Sequence, residues 1–154
     1  MPTNLYGPGD NYHPDNSHVI PGLINRFHEA KINKLSNIKI WGTGKPKREF
    51  LYVDDMAKAS VHLMNTEKKI YYKNTQSGCS YMNVGSGEEI TVKDLAETIG
   101  EVIGFKGKIN FDPTKPDGSP RKLLDSKSIN NLGFKSNTSL KDGLIKTYQE
   151  YLKT

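Results

Sequence analysis

The side chains in this sequence that could carry chemistry are few and widely spaced. His18 stands in Asn16-Ser-His-Val-Ile-Pro21, just where an apolar periodicity begins. An imidazole titrates near neutral pH, so a histidine there could act as a general acid or base. On its own residues it reads better as a capping or solvent-facing side chain. Arg26 and Arg48 carry planar forks that match pairs of phosphate or carboxylate oxygens. Yet Arg26 also suits a surface arginine covering the core with its stem, and Arg48 an exposed charge opening a strand. Trp41 precedes a glycine turn, where an ordinary core aromatic would also fit. Asp117 lies in Lys115-Pro-Asp-Gly118, which by itself spells a turn. Asp54 and Asp55 suit a helix start rather than a catalytic pair.

Two kinds of chemistry are disfavoured. No group of His, Cys, Asp and Glu has metal-ligand spacing: His13 and His18 are five apart, and His28 and His62 lie elsewhere. A dinucleotide-binding turn needs glycines where backbone approaches pyrophosphate at the start of a helix. The candidates Gly42-Thr-Gly44 and Gly85-Ser-Gly87 hold Lys47 and Ile90 where the last glycine should be.

Composition narrows the class further. A chain of 154 residues with 34% hydrophobic and 25% charged residues is expected to build one modest core, not two. With no apolar run near 18 residues and no signal-like start, it is expected to be soluble and unexported, with no membrane partner. The single cysteine, Cys79, excludes an internal disulfide and fits a reducing cytoplasm. The net charge of +5 is spread along the chain as a solvated face, with a few lysines free to attract an anionic ligand. No basic run alternates with aromatics, so no nucleic-acid partner is expected.

The elements that must position these residues alternate. A short strand end at the start runs into a Gly/Pro/Asp/Asn loop to residue 17. Ser17 is then expected to cap a helix with Pro21 in its first turn and Val19, Ile20, Leu23, Ile24 and Phe27 on one stripe. Strands are expected at Ile38–Trp41, Glu49–Val53, Tyr81–Val84 and Lys108–Phe111. A helix from Asp54 is expected to bury Met56, Ala57, Val61, Leu63 and Met64, leaving Lys58, His62 and Asn65 outside. Residues 66–80 read as an irregular surface connection. Capping boxes at Thr91-Val-Lys-Asp94 and Ser139-Leu-Lys-Asp142 open two further helices, the first closed by Gly104 and the second carrying Leu140, Leu144, Tyr148 and Leu152. A helical stretch is expected from Arg121 to Leu132. The alternation gives an α/β fold.

Several segments together resemble one family. They are Pro2-Thr-Asn-Leu-Tyr-Gly-Pro8, Asn16-Ser-His-Val-Ile-Pro21, Arg26-Phe-His-Glu-Ala30, Trp41-Gly-Thr-Gly44, Arg48-Glu-Phe-Leu51, Val53-Asp-Asp-Met-Ala57, Asn83-Val-Gly-Ser-Gly87 and Lys115-Pro-Asp-Gly-Ser-Pro-Arg-Lys-Leu-Leu-Asp125. They resemble the carboxy-terminal half of the GDP-L-fucose synthase family, NADP-dependent epimerase/reductases of the extended short-chain dehydrogenase superfamily. The Arg48 segment is shared across the superfamily; the His18 and Asp117 segments are sharper.

The resemblance implies a substrate-binding domain over residues 1–154, with 1–17 and about 81–87 belonging to the incomplete Rossmann sheet of a complete enzyme. It implies NADP contacts at Pro2, Thr3, Asn4, Leu5 and His18, with His18 also the acid of epimerisation. It implies a GDP-sugar held by Arg26, Trp41, Arg48, Asp117 and Lys122, in a cytoplasmic homodimer. The superfamily's proton-donating Tyr-x-x-x-Lys is matched by none of the eight tyrosines. The expectation is therefore that the cofactor half precedes residue 1 and that this chain alone is inactive. Two other readings stay open: a related NADP-dependent enzyme of another nucleotide-linked 4-keto sugar, and a non-catalytic nucleotide-sugar-binding partner.

Overall fold

The structure, a computed structural model, describes residues 1–76 and 78–153. In chain order the elements are β1 (Asn4–Tyr6), α1 (Val19–Ile32), β2 (Asn37–Trp41), β3 (Lys47–Tyr52), α2 (Val53–Met64), α3 (Lys68–Lys73), β4 (Glu89–Thr91), α4 (Val92–Ile103), β5 (Lys108–Asp112), β6 (Arg121–Lys122), α5 (Lys127–Asn131) and α6 (Leu140–Tyr151). The alternation expected of an α/β chain is there.

β3 is the spine. Its second half pairs in parallel with β1, with Leu5 opposite Leu51. Its first half pairs in parallel with β6, placing Lys122 opposite Arg48, and antiparallel with β4. A separate parallel pair, β2 and β5, sets Ile38 against Ile109 and Ile40 against Phe111. Val84 joins β1's side through a bridge to Pro2, with Thr3 N–H donating to its carbonyl at 3.0 Å.

Two apolar cores form where one was expected. The larger packs Ile20, Ile24 and Phe27 of α1 against Leu95 and Ile99 of α4, Leu144 of α6 and Ile38 and Ile40 of β2. The smaller gathers Leu51, Ala59, Met82, Val84, Ile129 and Phe134. The cause is the pleat of β3: Phe50 and Tyr52 point into the larger core and Leu51 into the smaller, because successive strand side chains face opposite ways. A strand covered on both faces divides the apolar surface between them.

Both capping boxes form. Thr91 Oγ1 accepts from Asp94 N–H at 3.0 Å, Ser139 Oγ from Asp142 N–H at 3.2 Å, and Gly104 ends α4 in the left-handed region at φ 78°. Elsewhere the expectations shift. His18, not Ser17, is the N-cap of α1, without a side-chain cap bond. Along α2 the buried positions are Asp55 and Ala59, while Val61 and Met64 are exposed and His62 turns in to the Leu132 carbonyl at 2.9 Å. Asp55 sets that rotation, because its carboxylate is held inside by loop donors. Arg121–Lys122 is strand rather than helix, and the only helix there is α5. Of the expected Tyr81–Val84 strand only the Val84 bridge exists; a helical turn, α3, interrupts the 66–80 connection, and Leu152 lies exposed past the end of α6.

Candidate functional site

Pro2, Thr3, Asn4, Leu5 and His18 line one cleft of about 570 Å³ between the β1 segment and the start of α1. The backbone of β3 holds its floor: Asn4 Nδ2 and Thr3 Oγ1 both donate to the Glu49 carbonyl, at 2.8 and 3.3 Å. His18 is exposed at the N-cap of α1, the positive end of that helix's dipole. No lysine or arginine lines the cleft. Such a wall suits a flat ring and a sugar better than a pyrophosphate, so these residues fit one side of a dinucleotide and its phosphates would need other partners.

The loop between β1 and α1 is pinned beside this cleft by Tyr12, whose ring lies 4.7 Å from that of Tyr151. Burial, with Asp10 nearby, pushes the Tyr12 phenol up to about 12. Nothing in the sequence pattern singled Tyr12 out.

A second group gathers around the end of β2. Trp41 is 65% exposed, with the Lys115 ammonium 5.4 Å from its ring centre. Arg26 reaches from α1 to the Lys39 carbonyl at 3.0 Å, two residues before Trp41. Asp117 bonds Thr43 through both oxygens: one accepts from Thr43 N–H at 2.6 Å and the other from the Thr43 hydroxyl at 2.7 Å. Those bonds from Thr43, with Lys45 and Arg48 close by, hold the Asp117 carboxyl below its ordinary range. Arg48 is half-buried, bonds the Lys47 carbonyl at 2.7 Å, and brings its guanidinium beside Gly118. Trp41, Arg48, Lys115 and Asp117 thus share one neighbourhood. Arg26 borders it through β2, and Lys122 through its register with Arg48.

Lys122 also meets the first group, since it lines a smaller cleft of about 340 Å³ with Pro2, Thr3 and Asn4. The residue that ties these parts together escaped the sequence reading. Glu49 is fully buried, and its carboxylate accepts from Gly87 N–H at 2.8 Å and from Leu124 N–H at 3.1 Å. A charged residue inside a strand otherwise reading Arg48-Glu-Phe-Leu51 was the available signal, because carboxylates are almost never fully buried without partners. Asp55 is the other. Among the described residues no group of three His, Cys, Asp or Glu could hold a metal ion. Cys79 lies half-buried, away from both clefts.

The sequence signature of the NAD dependent epimerase/dehydratase family matches residues 1–74. GDP-L-fucose synthase 1 of Arabidopsis thaliana is 54% identical over 153 residues, covering 99% of this chain and 45% of that protein. GDP-L-fucose synthase of Escherichia coli K12 is 52% identical over 153 residues, covering 99% and 48%. The crystal structure of a GDP-L-fucose synthetase from Naegleria fowleri bound to NADP superposes with a TM-score of 0.84 at 28% identity, covering 99% of this chain and 45% of its own. Fold and sequence together place the chain among α/β proteins of the epimerase and dehydratase class. Within that class it is homologous to the GDP-L-fucose synthases over 99% of its own length, and it spans about half the length of the curated relatives it matches. No helix among the described residues is long and apolar enough to cross a membrane.

Proposed function

We propose that these residues form the substrate-binding half of an NADP-dependent enzyme that converts GDP-4-keto-6-deoxy-D-mannose to GDP-L-fucose, in the cytoplasm and as a homodimer. The observation that carries the reading is the gathering of Trp41, Arg48 and Lys115 at one end of β2, with Lys122, opposite Arg48, lining a smaller cleft that shares Pro2, Thr3 and Asn4 with the cleft that holds His18. An exposed indole offers a base a stacking face, and guanidinium and ammonium groups offer a diphosphate its counter-charges. The 4-keto group acidifies the neighbouring carbons C3 and C5. A base lying outside these residues removes a proton from each, and His18 returns one to the opposite face, inverting the centre. Pro2, Thr3, Asn4 and Leu5 would hold NADPH, which would supply the hydride that reduces C4, with the proton for the C4 oxygen coming from a donor outside these residues.

In this reading Pro2, Thr3, Asn4 and Leu5 form one wall for the cofactor and Arg26 steadies the substrate group from α1. Residues 1–17 and 81–87 then belong to the cofactor domain's sheet. The 154 residues, without a Tyr-x-x-x-Lys, oxidise no NADPH alone. Titration calorimetry on the chain with GDP, UDP and dTDP tests the grip: GDP should bind best, and Arg48→Lys should weaken it by about 1–3 kcal/mol because an ammonium cannot replace a fork. Equal affinity for the three nucleotides, or none for GDP, would refute the substrate assignment. In a complete enzyme, His18→Gln should abolish solvent-deuterium incorporation at C3 and C5 while sparing hydride transfer to an already epimerised substrate.

A further inference from the structure

Residues 9–17 join the strand that walls the first cleft to the helix whose N-cap is His18. Most of this loop is exposed, but Tyr12 is half-buried and packs against the larger core. Among the described residues, the hydrogen bonds of residues 9–17 run within the loop. Asn11 is their hub. Its N–H donates to the Asp10 carboxylate at 2.8 Å, its Nδ2 donates to the Asn16 carbonyl at 3.2 Å, and its Oδ1 accepts from His13 N–H at 3.0 Å. Asp10, which lines the cleft, is thereby joined to Asn16, next but one to His18. These bonds make the loop one unit without fastening it to the body.

The fastening is aromatic. The Tyr12 ring lies 4.7 Å from that of Tyr151, and Tyr151 is itself braced. Its hydroxyl donates to Asn25 Oδ1 at 2.9 Å, and the His28 and Tyr148 rings lie 5.1 and 6.2 Å from its own. The Tyr12 hydroxyl, by contrast, is buried with no hydrogen-bond partner among the described residues. A buried hydroxyl without a bond costs stability, so the ring seats the loop while the hydroxyl weakens the seat.

We propose that Tyr12 is a positioning residue for His18: its ring seats the loop on Tyr151 and, through Asn11 and Asn16, holds the imidazole at the mouth of the cleft. What His18 does there rests on the nucleotide-sugar reading above, but the seat exists in the ligand-free chain and can be tested there.

Two variants separate ring from hydroxyl: Tyr12→Ala removes both, Tyr12→Phe the hydroxyl alone. At limiting protease, cleavage within residues 9–17 follows the fraction of chains whose loop is unseated. Tyr12→Ala should be cut about tenfold faster than the parent, and Tyr12→Phe no faster than the parent. A rate for Tyr12→Ala within about twofold of the parent, or Tyr12→Phe cut as fast as Tyr12→Ala, overturns the proposal. Proton–carbon NMR of the histidine rings, with His18 assigned by its loss in His18→Gln, reads the second link. In Tyr12→Ala the His18 signal should sharpen and move towards that of a free histidine peptide, while His62, bonded to the Leu132 carbonyl, stays in place. An unmoved His18 overturns the proposal, and so does a His62 that shifts with it, since Tyr12 would then support the whole fold. In a complete enzyme, Tyr12→Ala should slow solvent-deuterium incorporation at C3 and C5 about tenfold and Tyr12→Phe should preserve it; an unchanged rate in Tyr12→Ala counts against the proposal. Should the parent enzyme incorporate no deuterium, the reading of His18 as an acid fails, and cleavage and ring signals decide the seat by the outcomes just given.

Discussion

Asp55 is where the structure makes its firmest energetic claim. Its Oδ2 accepts from the backbone N–H of Asn137 and Thr138, at 3.1 and 2.8 Å, and its Oδ1 accepts from Lys58 Nζ at 3.2 Å. Burial alone would raise this carboxyl, but the bonds from Thr138, Lys58 and Asn137 outweigh it and leave it below the ordinary value of 3.8. Asp55→Ala strands two backbone donors and should cost about 2–4 kcal/mol, at about 1–3 kcal/mol for each unpaired group with partial access to water. Asp55→Asn keeps one oxygen that can accept from both donors, and loses the charge and the exposed Lys58 pair, for about 0.5–1.5 kcal/mol. Urea unfolding of the chain, followed by circular dichroism at constant slope, measures both. The folded carboxyl titrates below the unfolded one, so its contribution is full above the unfolded value and fades as pH falls through the folded one. The gap between the parent and Asp55→Asn should therefore narrow as pH falls below the ordinary value of 3.8. The reasoning is refuted if Asp55→Ala costs less than about 0.5 kcal/mol, or if Asn is as damaging as Ala.

Thr91→Ala and Ser139→Ala should each cost about 1 kcal/mol in urea unfolding, since each removes the acceptor for a first-turn N–H, and the two should add because the caps share no partner. Gly85→Ala should cost about 2–3 kcal/mol, because the new methyl would collide with the buried Glu49 carboxylate; a neutral result would show that the carboxylate can move. Asp112, held at about 2 by hydrogen bonds from Lys39 and Thr114, favours folding above its unfolded value and loses that effect as pH falls towards 2, so Asp112→Asn should flatten the acid limb of the stability profile.

What was legible in the sequence was local. The caps at Thr91 and Ser139 are four-residue patterns whose bonds close within the pattern. The stripe of α1 and the alternation of β2 follow from periods that a single helix or strand displays by itself. The rotation of α2 was hidden because Asp55's partners lie 82 and 83 residues away, and no pattern within the helix announces that an acid points inward. The strand character of Arg121–Lys122 was hidden for the same reason: two residues show no period, and their pairing is with Lys47 and Arg48. The second core was missed because the single core was argued from length and composition, which say nothing of a strand covered on both faces. As for the site, the residue types were visible through the family resemblance, but their proximity rests on Thr43–Asp117 and Glu49–Leu124, links between segments distant in sequence.

Those links converge on β3, and this gives the site its scale. At the Asn4 level, β3 offers the Glu49 carbonyl to Thr3 and Asn4 and so fixes the wall of the first cleft. One residue earlier, Arg48 stands opposite Lys122, which faces the second group. Phe50, the register partner of Asn4, lies two residues from Arg48, a rise of about 7 Å along the strand. That is about the width of one hexose ring. On the function proposed above, that spacing would set a sugar between the cofactor wall and the diphosphate grip, with the carboxylate of Glu49 holding the Gly87 turn and the Leu124 segment to the same strand. A strand with both faces buried and every neighbour bonded is stiff, and stiffness is what a site needs if it is to hold a reacting carbon within reach of two different partners.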